Sequence, residues 1–282
     1  MIIDSQVHVY SVESLNGRPP SQFIAEVTGD QMVAAMDEVG VDGAICVSPW
    51  SIYHDDTSFV EQVYRDHPSR FRLMAPIDVH AESVSAKLDA WFSTPGAAGV
   101  RVLDRSLEGI GAPIEADDPN VINVVERASA AGFPINLMCS GRLSLITKLA
   151  AAFPDAQFVL DHLGIVQPHH PPAPAGVFDD IPAVVALARY PNIAVKVSGT
   201  GTYSSQPFPY KDLWDPVGRI IDAFGIDRCM WGTDWTRTLK FLTYEQGVES
   251  FSQHWPMSDT DRESLMGATT MRIYRWLERG NP

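Results

Sequence analysis

Short runs of apolar and β-branched residues recur along the chain, separated by longer stretches in which apolar positions fall three and four apart. The runs are IIDSQVHVY at the start, GAICVSP at 43–49, FRLMAPI at 71–77, AGVRVL at 98–103, FPINLM at 133–138, AQFVLDHLG at 156–164, NIAVKVSG at 192–199 and DRCMWGTDW at 227–235. A parallel strand is covered on both faces, so it reads as a nearly continuous apolar run of about five residues and not as an alternating one. Eight such runs predict eight parallel strands.

Between them lie helix patterns with their own start and stop signals. DQMVAAMDEVG has Asp30 as a cap and Gly40 as a stop, and DPNVINVVERASAAG has Asp118 as a cap, Pro119 in the first turn and Gly132 at the end. DTSFVEQVYRDHP, SGRLSLITKLAAAFP, FDDIPAVVALARYP and KDLWDPVGRIIDAFG complete the set, each stopping at Gly or before Pro. Strand and helix in alternation make right-handed βαβ units, and eight of them close into an α/β fold, the (β/α)8 TIM barrel, for which about 250 residues is typical. No repeat or linker divides the 282 residues, so one domain over 1–282 is expected, with DTDRESLMGATTMRIYRWL as a closing helix containing Gly267. Three segments escape the pattern: 10–29, 165–178 and 200–210 follow the first, sixth and seventh strands. Long loops there lie on the C-terminal face, where barrels build their pockets.

Composition narrows the function. The formal net charge of -14 is unsuited to a polyanion such as DNA, whose binding rests on clustered Lys and Arg. A small-molecule substrate fits better, and self-association is left open. Every apolar run breaks before the roughly 18 residues a membrane span needs, and the start MIIDSQVHVY lacks the basic and apolar regions of a secretion signal. A cytoplasmic location is therefore the expectation. Cys46, Cys139 and Cys229 form no C-x-x-C pair and fall in or beside strand runs, which reads as buried free thiols.

Side chains two apart on a strand share a face, so Asp4, Gln6 and His8 are expected on one side, with His8 at the barrel mouth. His162 follows FVLD at the end of the sixth strand, and Asp234 follows MWGT after the eighth. These three meet only if the barrel closes and brings the first and eighth strands together. Arg101 in GVRV and Lys196 in VKVSG sit where strands normally bury apolar groups. Each needs an anionic partner, either Asp4 or another internal carboxylate, or the carboxylate of a substrate. Arg237, three residues beyond Asp234, is a further candidate for an anionic substrate, against a solvated loop arginine. Trp50, Tyr53, Tyr203 and Trp235 lie beyond strand ends and suit packing on a flat ring. His54, His80, His169 and His170 also follow strands; the Pro-rich surroundings of the last two favour a loop wall.

DSQVHVY, GVRVLD, LDHLG, VKVSG and WGTDW, in that order and nearly end to end, resemble the amidohydrolase superfamily and most closely its amidohydrolase 2 branch, which includes lactonases of sugar and aromatic-acid catabolism. The superfamily pattern is D-x-H-x-H on strand 1, a His ending strands 5 and 6, and an Asp on strand 8. The resemblance implies Asp234 as general base toward a water, with His8 and His162 polarising an ester carbonyl. Two positions depart from the pattern: Gln6 replaces the first His, and Met138 or Cys139 stands where the strand-5 His would be. That leaves His8, His162 and Asp234, with Gln6 as a weak fourth donor, for one divalent ion such as Zn or Mn, where at least three good donors are normal. Metal-free catalysis is an equal expectation. The expected activity is hydrolysis of a lactone or related cyclic ester of a small carboxylated compound. The alternatives are a metal-dependent non-oxidative decarboxylase and a catalytically silent barrel acting as a partner subunit.

Overall fold

The computed structural model describes residues 1–11, 13, 26–104, 106, 112–168 and 170–280. Eight strands form one parallel sheet in sequence order: β1 (Ile3–Val7), β2 (Gly43–Val47), β3 (Phe71–Ile77), β4 (Ala97–Leu103), β5 (Ile135–Met138), β6 (Phe158–Leu160), β7 (Ile193–Ser198) and β8 (Cys229–Gly232). Each falls on a predicted run, with β4 starting one residue before its own. β8 returns to β1 through the Asp234 N–H, which donates to the Gln6 carbonyl at 2.9 Å, so the sheet curls into a nearly closed barrel.

The helices between the strands pack their apolar stripes on the outside of the barrel. Helix Gly29–Val39 ends at Gly40 as expected, in the left-handed region at φ 72°. Its cap, however, is Thr28 and not Asp30: the Thr28 hydroxyl accepts from the Gln31 N–H while the Gln31 side chain takes the Thr28 N–H. This reciprocal box satisfies two otherwise orphaned groups and leaves Asp30 in the first turn. Asp118 does cap helix Pro119–Ala130, accepting from the Asn120 N–H at 2.8 Å. Helix Val84–Phe92, between β3 and β4, is absent from the expectations although Val84, Leu88 and Trp91 bury one face at helical spacing.

Two apolar layers result. The larger lies between strands and helices. The smaller fills the lower barrel, where Ile3, Ile45, Met74, Val159, Ala194 and Met230 meet Ile273, Tyr274 and Trp276 from the C-terminal segment. The closing helix runs over 259–273 with a widened turn at Ser264–Ala268. Gly267 sits against the first residue, where an added Cβ would lie 1.9 Å from the Met1 carbonyl oxygen. Only glycine allows that approach.

A shift of register in β1 between Asp4 and Val7 changes which side chains share a face. Gln6 and His8 point into the upper barrel, but Asp4 turns to the β8 seam. There it accepts from the Thr233 N–H at 2.9 Å, the Thr233 hydroxyl at 2.5 Å and the Tyr244 hydroxyl at 3.2 Å. The expectation that Asp4, Gln6 and His8 line one face fails at this irregularity. Of the loop expected over 10–29, residues 12 and 14–25 lie outside the described residues; at its ends Tyr10 and Val27 pair as a short antiparallel bridge. Among the described residues, no helix is long and apolar enough to cross a membrane.

Candidate active site

The upper barrel holds a connected set of polar side chains in place of the apolar packing below. At its centre is Asp161, immediately after β6. Its Oδ2 accepts from Arg101 Nε at 2.7 Å and its Oδ1 from Asn136 Nδ2 at 3.0 Å, with Lys196 Nζ 3.7 Å away. Burial alone would raise its pKa, but the Arg101 and Lys196 cations hold the carboxyl well below the usual carboxylate range. Arg101 thus takes an internal carboxylate other than Asp4.

His162 follows Asp161 in a turn whose three residues, His162, Leu163 and Gly164, all have positive φ. The Tyr203 hydroxyl ties this turn down by donating to the His162 carbonyl at 3.0 Å. Arg101 Nη2 lies 3.3 Å from His162 Nε2 and the Ser198 hydroxyl 2.9 Å from Nδ1. A guanidinium only donates, so Nε2 carries the lone pair and Nδ1 the proton, which it gives to Ser198. Burial pushes the His162 pKa down to about 4 against the pull of Asp234 and Asp161, which keeps the ring neutral near pH 7.

His8 is fixed from both sides. Its Nδ1 is 2.7 Å from the Val47 carbonyl, which can only accept, so Nδ1 carries the proton. Its Nε2 is 3.3 Å from Gln6 Nε2 and 3.4 Å from Asp234 Oδ1. Lys196 Nζ donates to Gln6 Oε1 at 2.8 Å, and this fixes which end of the amide faces His8.

Asp234 adopts left-handed backbone angles, φ 50° and ψ 30°, which a non-glycine residue takes only at some cost. Its Oδ2 accepts from Gln167 Nε2 at 3.0 Å, whereas Oδ1 is buried, makes no hydrogen bond among the described residues and lies 3.4 Å from His8 Nε2. Burial would raise the Asp234 pKa; the His162 and His8 rings and the Arg237 cation outweigh it and hold the carboxyl low. The structure therefore brings a carboxylate oxygen with free accepting capacity next to an imidazole nitrogen at the barrel mouth.

The other expected residues fall into place around this group. Lys196 is fully enclosed, with Gln6 and Asp161 as partners. Tyr203 is also fully buried, with its hydroxyl on the His162 carbonyl. Trp50 and Tyr53 are partly buried; Trp50 meets His54 edge-on and Tyr53 stacks on Phe59. Arg237 is half-buried in the turn after Asp234, and its charge acts on Asp234 and His162. His80 pairs with the helix cap Asp118 at 3.7 Å, His170 lies near Phe241, and His169 is outside the described residues. Cys46, Cys139 and Cys229 are all buried free thiols. Asp161, Asn136, Ser198 and Gln167 were not among the expected residues. The first three show as polar residues inside or ending strand runs; Gln167 sits in a loop with no local signal.

A divalent ion finds a poor donor set here. Among the described residues, no three His, Cys, Asp or Glu side chains gather to hold one. His8 Nε2 and Asp234 Oδ1 do face each other, but the Nε2 of His162 is engaged by Arg101 and Gln6 turns its NH2 group, a donor, toward His8. The Gln6 oxygen that was to be the fourth ligand is held by Lys196. Met138 sulfur lies 3.6 Å from Arg101 Nη2, and burial pushes the Cys139 thiol up to about 12, so neither supplies a good anionic donor in place of the strand-5 His.

An eight-stranded parallel barrel with a buried aspartate after β8 and imidazoles after β1 and β6 at its C-terminal mouth defines a barrel enzyme of the amidohydrolase type. The chain belongs to the Amidohydrolase family, whose model matches residues 5–276. It is 27% identical over 258 residues to the 4-sulfomuconolactone hydrolase of Hydrogenophaga intermedia, covering 89% of this chain and 80% of that one. It is 23% identical over 242 residues to the L-fucono-1,5-lactonase of Burkholderia ambifaria, covering 83% and 79%. An amidohydrolase of Burkholderia multivorans solved with bound zinc shares the fold at a TM-score of 0.78 and 20% identity, over 98% of this chain and 99% of that one.

Proposed function

We propose that this protein is a lactonase that opens the ring of a small, anionic lactone with a water activated by Asp234, without needing a divalent ion. The observation that carries the reading is the buried Asp234 Oδ1, which makes no hydrogen bond among the described residues and stands 3.4 Å from His8 Nε2. The open accepting capacity of that carboxylate suits a water that gives one proton to Oδ1 and keeps a lone pair for the carbonyl carbon.

As the water oxygen bonds to that carbon, its proton passes to Asp234. A carboxylate held at low pKa is a weak base, and it passes the proton on to the adjacent His8 Nε2, which gives up its contact with the Gln6 NH2 group. The carbonyl oxygen gathers negative charge. His8 and His162 both present lone pairs inward and cannot donate to it when neutral, so the polarising role passes from the imidazoles to Arg101. Its Nε and Nη2 are braced by Asp161 and His162, and its Nη1 has no hydrogen-bond partner among the described residues. Collapse of the tetrahedral centre breaks the ring C–O bond, and the His8–Asp234 pair returns the proton to the departing ring oxygen. The product is a hydroxy acid. Arg237, with the partly buried rings of Trp50 and Tyr53, is assigned to holding the substrate's anionic group and its ring.

The likeness to two lactone hydrolases over most of their length supports the substrate class. Acid release from L-fucono-1,5-lactone, 4-sulfomuconolactone and a series of carboxylated five- and six-membered lactones tests it. Turnover of at least one of these is expected. No ring opening across the series, together with CO2 release from a hydroxybenzoic acid, would replace the lactonase reading with a decarboxylase.

A further inference from the structure

Gln6, one of the two positions that depart from the family pattern, is held on both ends of its amide. Its side chain is completely buried, as is that of Lys196 on β7. The Lys196 ammonium has three N–H donors and no acceptor, so the atom 2.8 Å from it must be the amide oxygen of Gln6. The amide then has only one orientation available, and its NH2 group is the end 3.3 Å from His8 Nε2. Lys196 is itself held from the other side by Asp161 at 3.7 Å and lies over the Tyr274 ring at 5.6 Å. A chain of contacts thus runs from the centre of the barrel to the imidazole beside Asp234.

We propose that Lys196 is a positioning residue for His8, acting through Gln6: it locks the amide so that His8 is held with its proton on Nδ1 and its Nε2 lone pair beside Asp234 Oδ1. The Val47 carbonyl on Nδ1 favours the same tautomer from the opposite edge of the ring. Without Lys196 the Gln6 amide is free to flip. Its oxygen then faces His8 Nε2, which satisfies it best as an N–H, and with Nδ1–H still held by the Val47 carbonyl the ring is then doubly protonated. The ring would meet Asp234 as a donor, and the place where the water's proton comes to rest would already be filled.

This inference rests on the reading of His8 and Asp234 as the proton-accepting pair, and its test separates the two. Gln6→Glu keeps the shape of the side chain and gives Lys196 an ion pair, but offers His8 an oxygen where the wild type offers an NH2. Lys196→Met removes the lock, and Gln6→Leu removes both partners. Long-range proton–nitrogen NMR correlations of the His8 ring, which need no substrate, should show the Nδ1–H tautomer in the wild type and protonation at Nε2 in Gln6→Glu. The kcat on the best lactone of the series should fall by roughly 10–100-fold in Gln6→Glu, the size of one lost acid–base contribution, with KM within about twofold. A purely structural role for the Lys196–Gln6 contact predicts the reverse: Gln6→Glu, with its ion pair, would keep wild-type kcat and the wild-type tautomer. That result would overturn the proposal, as would an Nε2–H tautomer in the wild type. If Lys196→Met does not fold, Gln6→Glu and Gln6→Leu still decide. Retained hydrolysis in Asp234→Asn would instead sink the acid–base reading and leave the tautomer result standing on its own.

Discussion

Along β6 and β7 the barrel interior changes character within two residues: Val159 and Ala194 lie in the lower apolar layer, and Asp161 and Lys196 lie one interior step higher in the polar one. The lower layer is held by shape. Its members have no directional needs, and the C-terminal Ile273, Tyr274 and Trp276 close it off from below. The upper layer is held by charge balance and hydrogen-bond direction, with Asp161 set against Arg101 and Lys196, and each amide and imidazole oriented by a neighbour. Tyr274 joins the two, its ring packed below and its hydroxyl donating to Asn136 Oδ1 at 2.9 Å. The difference teaches where substitutions hurt: below, a lost atom leaves a cavity; above, a lost atom leaves a charge without its partner or turns a ring the wrong way.

Substitutions that attack each layer in turn can break this contrast. The largest expected effect is on catalysis: Asp234→Asn should lower kcat by about 10³-fold or more, while the melting temperature stays within a few degrees of wild type. Next, Asp161→Asn leaves two buried cations without their anion and should cost about 3–5 kcal/mol in a denaturant titration, with activity lost as well. In the lower layer, Ile45→Ala should cost about 2–4 kcal/mol by the same titration but leave kcat nearly unchanged, because only packing is removed. A fall in kcat comparable to that of Asp161→Asn would show that the layers are not separable.

The smallest effect is in pH dependence. The His162 pKa is about 4 in the folded chain against an ordinary 6.5, so between those values the unfolded chain binds a proton that the folded one does not. Stability is therefore lost from this group as pH falls through that window. Asp4, raised by burial to about 6, works in the opposite direction: the folded chain takes up its proton before the unfolded one does, which offsets part of the loss between pH 6 and its ordinary 3.8. Melting temperatures at pH 7 and pH 5 should fall further apart in Asp4→Asn than in wild type. An unchanged gap would remove Asp4 from this balance.

The same contrast explains what could be read in the sequence. All eight strands were legible, because a layer held by apolar packing advertises itself as apolar runs. His8, His162 and Asp234 were legible because their places at strand ends follow from the barrel once it is recognised. The direction of each hydrogen bond was not: nothing in DSQVHVY shows that the Gln6 oxygen belongs to a lysine 190 residues away. Nor does the sequence show the register shift that turns Asp4 out of the expected face, since two faces of a doubly buried strand carry similar residues. Thr28 and Asp30 are both good capping residues, and only the backbone angle, which the sequence does not show, makes Thr28 the cap.

The central claim is that Asp234 and its neighbours activate water without a metal ion. It is tested most directly by lactone hydrolysis with wild type and Asp234→Asn side by side, each after exhaustive treatment with a strong chelator and with bound metal measured on the same samples. The account predicts that chelated wild type keeps its rate with far less than one ion per chain and that the Asp234→Asn protein is inactive. Loss of wild-type activity on chelation with recovery on adding zinc or manganese, or hydrolysis by Asp234→Asn at near the wild-type rate, would contradict it.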